Sequence, residues 1–342
     1  MQYTRLGTSG LTVSRIGLGM MSYGNLSRRA WHLTADQARP IVQHAVTCGV
    51  TLFDTADMYD RGASEEVTGR LLAECFDDRD DYVLATKVYY PMSDKPSDRG
   101  LSRKHILASV DASLRRLGTD HIDLYQVHRW DYDTPIEETM AALDAVIRAG
   151  KVRYIGASSM YAWQFAKAQH IAALNRSSQF ISMQNHYNLL YREEEREMIP
   201  LCRDQGVGLL PYSPLARGLL ATGRTRPETH PTTRSSTDPL AEQLYTEADL
   251  DIVDTLHTLA HELGLPPAQL AIAWLLNKPG ISAPLIGATK LNHLQDAVAA
   301  VDITLTAEHI ARLEAGYRPH PVTGPAEQQA LAPSPSLTGG KP

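Results

Sequence analysis

From residue 15 to residue 300 the chain alternates between short apolar runs and longer segments with helical periodicity, and this alternation limits its folds more than any other feature. The short runs fall at 15–19, 51–53, 82–87, 122–128, 152–157, 180–184, 208–211 and 282–286. The helical patterns fall at 34–48, 64–74, 102–117, 135–149, 162–175, 193–205, 266–277 and 292–300. Short strands separated by helix-length crossovers pair in parallel, since a tight turn cannot reach a parallel neighbour. Strand–helix units repeated in this way, at short spacing, predict a closed α/β fold, the (β/α)8 TIM barrel. An open, doubly wound sheet is the rival. It is disfavoured because Gly17-Leu18-Gly19-Met20-Met21-Ser22 lacks the third glycine of a dinucleotide fingerprint.

Local signals sharpen the element ends. Thr34 is placed to cap the first helix, Ser64-Glu65-Glu66 puts acids in the first turn of the second, and Gly118 and Gly150 stop the third and fourth. Glu193-Glu194-Glu195 reads as first-turn charge on the sixth helix, favourable to its dipole. Residues 2–13 read as a hairpin around Gly7-Thr8-Ser9-Gly10, suited to plugging the bottom of a barrel. After strand seven, residues 215–245 form a long insert rich in Thr, Arg, Pro and Ser. A loop of that length is functional or disordered. Residues 249–263 and 306–315 are helices outside the alternation. From Pro319 the chain is mostly Pro, Gly, Ala and Ser, so one barrel domain over 1–318 and a disordered tail over 319–342 are expected.

Three of the early strands run into a group that titrates. The run 51–53 closes on Asp54 with Tyr59 five positions later, 82–87 closes on Lys87, and 122–128 closes on His128. Catalytic groups of such barrels sit at the carboxyl ends of the strands, so one site ringed by these four residues is expected. Their types suit carbonyl reduction. Tyrosine is a poor acid at neutral pH, with an unperturbed pKa of about 10. A nearby ammonium lowers that value by stabilising the phenolate, and a carboxylate holds the ammonium in place. The histidine can donate a hydrogen bond to the substrate oxygen. The hydride must come from a cofactor, because no side chain supplies one. Singly, Asp54 reads as a turn cap, Lys87 as a solvated lysine and His128 as a core histidine; their joint placement outweighs those readings.

The same residues carry a family resemblance. The opening Arg5-Leu6-Gly7-Thr8-Ser9-Gly10-Leu11-Thr12-Val13-Ser14 resembles the N-terminal hairpin and first strand of the aldo-keto reductases, and the likeness runs from Tyr3 to about Leu313. The family's Asp, Tyr, Lys and His tetrad falls on Asp54, Tyr59, Lys87 and His128. The resemblance implies a reversible, NADPH-dependent reduction of aldehydes or ketones. In that scheme Tyr59 is the general acid, Lys87 held by Asp54 lowers its pKa, and His128 orients and polarises the carbonyl. The branch is similar to bacterial aldo/keto reductases and to the regulatory β subunits of potassium channels.

The resemblance also implies where NADP(H) lies. Ser158 and Gln184 would meet the carboxamide and Tyr212 would stack on the nicotinamide ring, with Gly19, Met20, Asp54, Ser159, Ser213, Pro214 and Leu215 beside it. Arg217, Gly218 and Arg224 of the insert would face the phosphates. Ile286, Gly287, Thr289, Lys290, His293 and Asp296 fall where the 2′-phosphate and adenine are recognised. Charge-assisted contacts there favour NADP over NAD. The pattern departs from the family at Ser159, where Asn is usual, and at Ala297, where an Asn often follows the acidic residue.

Composition narrows the rest. A net charge of −6 and a pI near 6.1 give no electrostatic reason to expect nucleic acid or an anionic membrane as partner. The three cysteines show no C-x-x-C spacing, so neither disulfides nor a zinc site is expected. No leader and no membrane-length apolar run stand out, and a cytoplasmic protein is the expectation. His257 and His261 have metal-ligand spacing on a helix but no evident third ligand, and read as two surface histidines. Tyr23, Tyr89, Trp130 and Tyr187 are candidate substrate walls, which would suit an apolar or aromatic carbonyl; Arg129 and Trp130 also read as ordinary loop residues. A cofactor-sensing binding protein with little turnover is the second reading. His128 weighs against it, since the channel subunits carry Asn there. A metal-dependent barrel hydrolase built on Asp54 and His128 is a third, weakened by the lack of His-x-His after any early strand. Nothing marks an oligomer interface.

Overall fold

The computed structural model describes residues 1–25, 31–222 and 244–323. An antiparallel hairpin of β1 (Tyr3–Arg5) and β2 (Thr12–Ser14) opens the chain. The alternation follows: β3 (Gly17–Gly19), α1 (Ala35–Thr47), β4 (Leu52–Asp54), α2 (Ala63–Cys75), β5 (Val83–Val88) and α3 (Arg103–Leu117). It continues through β6 (Ile122–Val127), α4 (Ile136–Arg148), β7 (Val152–Ser158), α5 (Ala162–Leu174), β8 (Phe180–Gln184), α6 (Met198–Asp204) and β9 (Gly208–Leu209). After a short α7 (Leu219–Thr222) come α8 (Leu250–Leu263), α9 (Pro267–Asn277), β10 (Leu285–Gly287), α10 (Leu291–Ala299) and α11 (Ala307–Glu314).

The eight later strands form one parallel sheet in the order β10-β3-β4-β5-β6-β7-β8-β9. Its two ends meet through a parallel bridge of Leu209 to Ile281 and a bond from Leu285 N to Pro211 O at 2.8 Å. The (β/α)8 TIM barrel and its N-terminal hairpin are therefore present.

Capping signals act as read. Thr34 and Gln37 form a capping box on α1, and α3 runs from a Ser102 cap to Gly118 in the left-handed region at φ 66. The sixth helix differs from the expected 193–205. Residues Glu193–Glu195 form a separate 3-10 turn, and the α-helix starts only at Met198. Pro200 falls in the first turn of that helix, where its missing N–H costs no intrahelical bond.

The hairpin seals the amino-terminal end. Leu6 and Val13 are fully buried and cluster with Leu52, Val83, Ala85, Leu124, Leu210, Ala283 and Leu285. Each such side chain contributes about 1.5–3 kcal/mol on leaving water. Thr8 N donates to Gly206 O at 2.7 Å and ties the hairpin to the turn before β9. The tail departs from its expected disorder over 319–323: His320 N and Thr323 N donate to Glu193 and Tyr191, both buried on the barrel. Residues 324–342, like 223–243 of the insert, lie outside the described residues. No helix among the described residues is long and apolar enough to cross a membrane.

Candidate active site

Strand register brings the tetrad together. Gly19, Asp54 and Ala85 are level across β3, β4 and β5, and Lys87, two residues beyond Ala85, shares its inward face. Lys87 is fully buried, and its ammonium donates to Asp54 Oδ1 at 2.5 Å, to Thr55 O at 2.7 Å and to Tyr59 Oη at 3.4 Å. The other carboxylate oxygen of Asp54 accepts from Gln126 Nε2 and Gln184 Nε2, each at 2.9 Å. A buried ion pair persists only when its remaining hydrogen-bonding capacity is met, and here both partners are engaged.

Tyr59 comes from outside the strands. It begins a 3-10 turn whose next two residues, Asp60 and Arg61, are left-handed at φ 50 and φ 52. Its ring lies 5.7 Å from that of His128, edge to face, and Tyr90 makes a second edge-to-face contact to His128 at 5.0 Å. Burial pushes the Tyr59 phenol above its usual value and outweighs Lys87, which pulls it down. Burial opposes the charge on Lys87, but Asp54 and Tyr59 more than compensate and its pKa is raised. Burial, then Arg129 and Lys87, hold His128 well below its ordinary value, so its imidazole is neutral. Its Nδ1 is buried with no hydrogen-bond partner among the described residues.

A second polar group lies beside the tetrad. Ser158 Oγ and Ser159 Oγ are 3.2 Å apart, Ser159 Oγ donates to Tyr212 Oη at 3.3 Å, and Ser159 N donates to Gln184 O at 3.1 Å. Tyr212 is half-buried. Ser159, Ser213, Ala216 and Arg217 are left-handed without being glycine, at φ 48, 54, 47 and 59. Such conformations require roughly 1–3 kcal/mol each and cluster at functional sites. Hydroxyls, a primary amide and a half-covered phenol ring are the donor set a nicotinamide carboxamide and ring need, so the residues fit that group.

The far end is more open. Gly287 is level with Gly19, and so in line with Asp54 two strands away. Gly287 and Lys290 are exposed, Thr289 is half-buried, and Ile286 is buried. His293 is half-buried on α10, with its pKa lowered by burial and then by Lys290. Asp296 accepts from Gln269 Nε2 of α9 at 2.9 Å. Pro214 is buried, while Leu215, Arg217 and Gly218 are half-buried on the loop after β9. Arg224 lies outside the described residues.

Several expected contacts fall elsewhere. Tyr23 is fully buried in the core and donates to Ala288 O at 2.8 Å. Tyr187 is buried against Trp274 and donates to Glu195 at 2.5 Å. Both are core ties, not walls of the site. Met20 is a core side chain whose carbonyl accepts from Ser64 Oγ at 2.8 Å. Trp130 packs on Trp163 at 5.8 Å, and Tyr89 lies 5.2 Å from Tyr90. The acid run is not the first turn of the sixth helix but a hub of tertiary contacts. Glu193 holds Tyr317, His320 N and Arg196, and Glu195 holds Tyr187, Arg192 and Lys278. Burial pushes the Glu194 carboxyl up to about 7. His257 is half-buried, so only His261 is a surface residue.

The reading from sequence missed Gln126, Tyr90 and the orientation of Arg129. Arg129 lies over Tyr90, 5.6 Å from its ring centroid, and donates to His128 O at 2.6 Å. Gln126 was findable, since it precedes His128 by two on an inward strand face.

A parallel barrel with a buried lysine–carboxylate pair under a tyrosine, a neutral histidine beside it and serine, glutamine and tyrosine side chains around the same rim defines a barrel oxidoreductase for carbonyl chemistry. The family model for the aldo/keto reductases matches residues 15–318, and the chain belongs to that family. It is 45% identical over 341 residues to the versiconal hemiacetal acetate reductase of Aspergillus parasiticus, covering 93% of this chain and 98% of that one. A putative aryl-alcohol dehydrogenase of Saccharomyces cerevisiae is 41% identical over 337 residues, with 92% and 96% covered. One from Schizosaccharomyces pombe is 41% identical over 346 residues, with 94% and 97% covered. The chain is thus an oxidoreductase, and its family generally uses NAD(P)H.

Proposed function

We propose that this chain reduces aldehydes or ketones to alcohols with NADPH, and runs the reverse oxidation with the same groups. The observation that carries this reading is the Lys87 ammonium, shared between Asp54 and the Tyr59 hydroxyl in a buried site. When bound, the nucleotide supplies the hydride; Ser158, Ser159, Gln184 and Tyr212 would hold its nicotinamide end. Tyr59 holds its proton at neutral pH, as a tyrosine with a pKa of about 10 ordinarily does, so the acid form is the resident one. As negative charge grows on the carbonyl oxygen, Tyr59 gives up that proton. Lys87, already 3.4 Å away, stabilises the phenolate left behind. Neutral His128 offers an N–H to the same oxygen without competing as an acid.

Preference for NADPH rests on Lys290, exposed beside Thr289, with Arg217 on the insert side. The aromatic pair Tyr89 and Tyr90, with Tyr90 on His128, suits an aryl or apolar carbonyl, as do the names of the relatives. The test is nucleotide consumption with a panel of aldehydes, using NADPH and NADH, in the wild type and in Tyr59→Phe. Expected is turnover that prefers NADPH and falls by about 10²–10⁴-fold in Tyr59→Phe, with nucleotide affinity kept. Retained turnover would remove Tyr59 from the acid role. Tight NADPH binding with no turnover on any carbonyl would favour the nucleotide-sensing reading.

A further inference from the structure

His186 sits two residues beyond Gln184 and extends the pairing of β8 and β9 by a parallel bridge to Tyr212. Parallel neighbours present their side chains to one face. The two rings accordingly stack, 5.4 Å apart and 10° from parallel. Tyr191 covers the other face of the imidazole, at 4.3 Å and 11°. Tyr212 thus ends a stack of three rings whose inner members, His186 and Tyr191, are buried.

The edge of the imidazole is fixed as well. Asn188 Oδ1 accepts from the backbone amides of Leu190 and Tyr191 at 2.9 and 3.0 Å, so its Nδ2 is the atom facing His186 Nε2 at 3.3 Å. The two hydrogens of that nitrogen go to its nearer acceptors, Tyr245 Oη and the carbonyl of left-handed Ser213, each at 3.0 Å. The imidazole is hydrogen-bonded at both nitrogens, Nε2 with Tyr245 Oη at 3.0 Å and Nδ1 with Thr323 Oγ1 at 3.3 Å.

Tyr245 ends the insert after β9, and Thr323 belongs to the C-terminal segment. That segment is anchored in turn: Tyr317 Oη and His320 N donate to Glu193 at 2.7 and 2.8 Å, and His320 Nε2 lies 2.9 Å from Asp249. Thr323 N and O both bond the Tyr191 hydroxyl, at 2.8 and 3.2 Å. Two distant stretches of chain therefore converge on one ring behind Tyr212.

We infer that His186 is a positioning residue for nucleotide binding: it backs the Tyr212 ring, and the insert end and the C-terminal segment set its place through Tyr245 and Thr323. This rests on Tyr212 being the nicotinamide platform. A platform ring held before the ligand arrives need not be ordered on binding, and the benefit appears as affinity.

The test measures NADPH affinity by fluorescence titration of the full chain, with thermal melting and steady-state kinetics alongside. His186→Ala is expected to weaken NADPH binding about five- to tenfold, the range an aromatic stack converts to, with the carbonyl KM little changed. His186→Phe keeps a stacking ring and should recover most of that affinity. Thr323→Val leaves the core intact and should weaken binding about twofold in the same direction, the share of one neutral hydrogen bond. Tyr212→Leu tests the platform itself. If Tyr212→Leu weakens binding and neither His186→Ala nor Thr323→Val does, the inference fails and the proposed function stands. If Tyr212→Leu also binds normally, the platform reading fails. Equal loss of affinity and of melting temperature in His186→Ala and His186→Phe would make His186 a packing residue only.

Discussion

At its amino-terminal end the barrel is filled by Leu6 and Val13 from the hairpin, packed on seven apolar neighbours. At its carboxyl end the same interior space holds Lys87, Asp54, Gln126 and Gln184, joined by hydrogen bonds. Backbone strain is divided the same way. Turns at the floor that need a left-handed residue use glycine, as at Gly7 and Gly206, with Arg176 the exception. At Gly7 an added Cβ would come within 2.6 Å of Gly208 N, so the close approach of hairpin and turn also excludes a side chain. Around the rim the left-handed positions include Asp60, Arg61, Ser159, Ser213, Ala216 and Arg217. The floor turns only connect, so they relax. The rim turns must present particular side chains, so strain is retained there.

Asp54→Asn should show the largest effect. It removes the counter-charge of a buried ammonium and points an amide at the donors of Gln126 and Gln184. A loss of about 3–5 kcal/mol in unfolding free energy is expected, together with loss of turnover. Denaturant unfolding of the purified variant measures the first and the aldehyde assay the second. Unchanged stability would show that the rim charges are not held as a pair.

Leu6→Ala attacks the floor. About 2–5 kcal/mol should be lost to the cavity, while kcat per folded molecule stays near wild type. A large fall in kcat would mean that the two ends are mechanically coupled.

The smallest effects test the strain itself, and they should have opposite signs. Gly206→Ala should destabilise by about 1 kcal/mol or more, since φ is left-handed. Its Cβ would also fall 2.5 Å from Thr8 Oγ1. Ser213→Gly should stabilise by about 1 kcal/mol by removing a strained non-glycine residue, and weaken NADPH binding. Melting temperatures of both variants decide the matter; a destabilised Ser213→Gly would mean the rim loop is not strained.

What could be read beforehand followed from periodicity. Strand ends at Asp54, Lys87 and His128 were visible because a strand fixes which side chain reaches the rim. The element pattern was visible because each strand needs its crossover helix. Tyr59 could be named but not placed, since the turn that carries it depends on left-handed Asp60 and Arg61, for which neither residue type is diagnostic. Tyr90 was hidden next to Tyr89, because a loop has no period from which to choose between neighbours. Glu193 and Glu195 read as first-turn dipole charge because their partners, Tyr317, Arg192 and Lys278, are distant in sequence or unremarkable alone. Pro200 did carry a local signal that the sixth helix begins late.

The seam that closes the barrel has a further consequence. β9 is two residues long, and its far side is held by a single bridge and by backbone bonds such as Ser282 N to Leu209 O at 2.9 Å. Arg15 spans this joint from below, donating to the carbonyls of Leu276, Ile281 and Ser282. Amides along this joint have fewer neighbours to keep solvent out than those of β6, flanked by long partners on both sides. Tyr212 lies just past this thin strand, so native-state hydrogen exchange is expected to be faster along the joint than at Asp54 and Lys87 on β4 and β5.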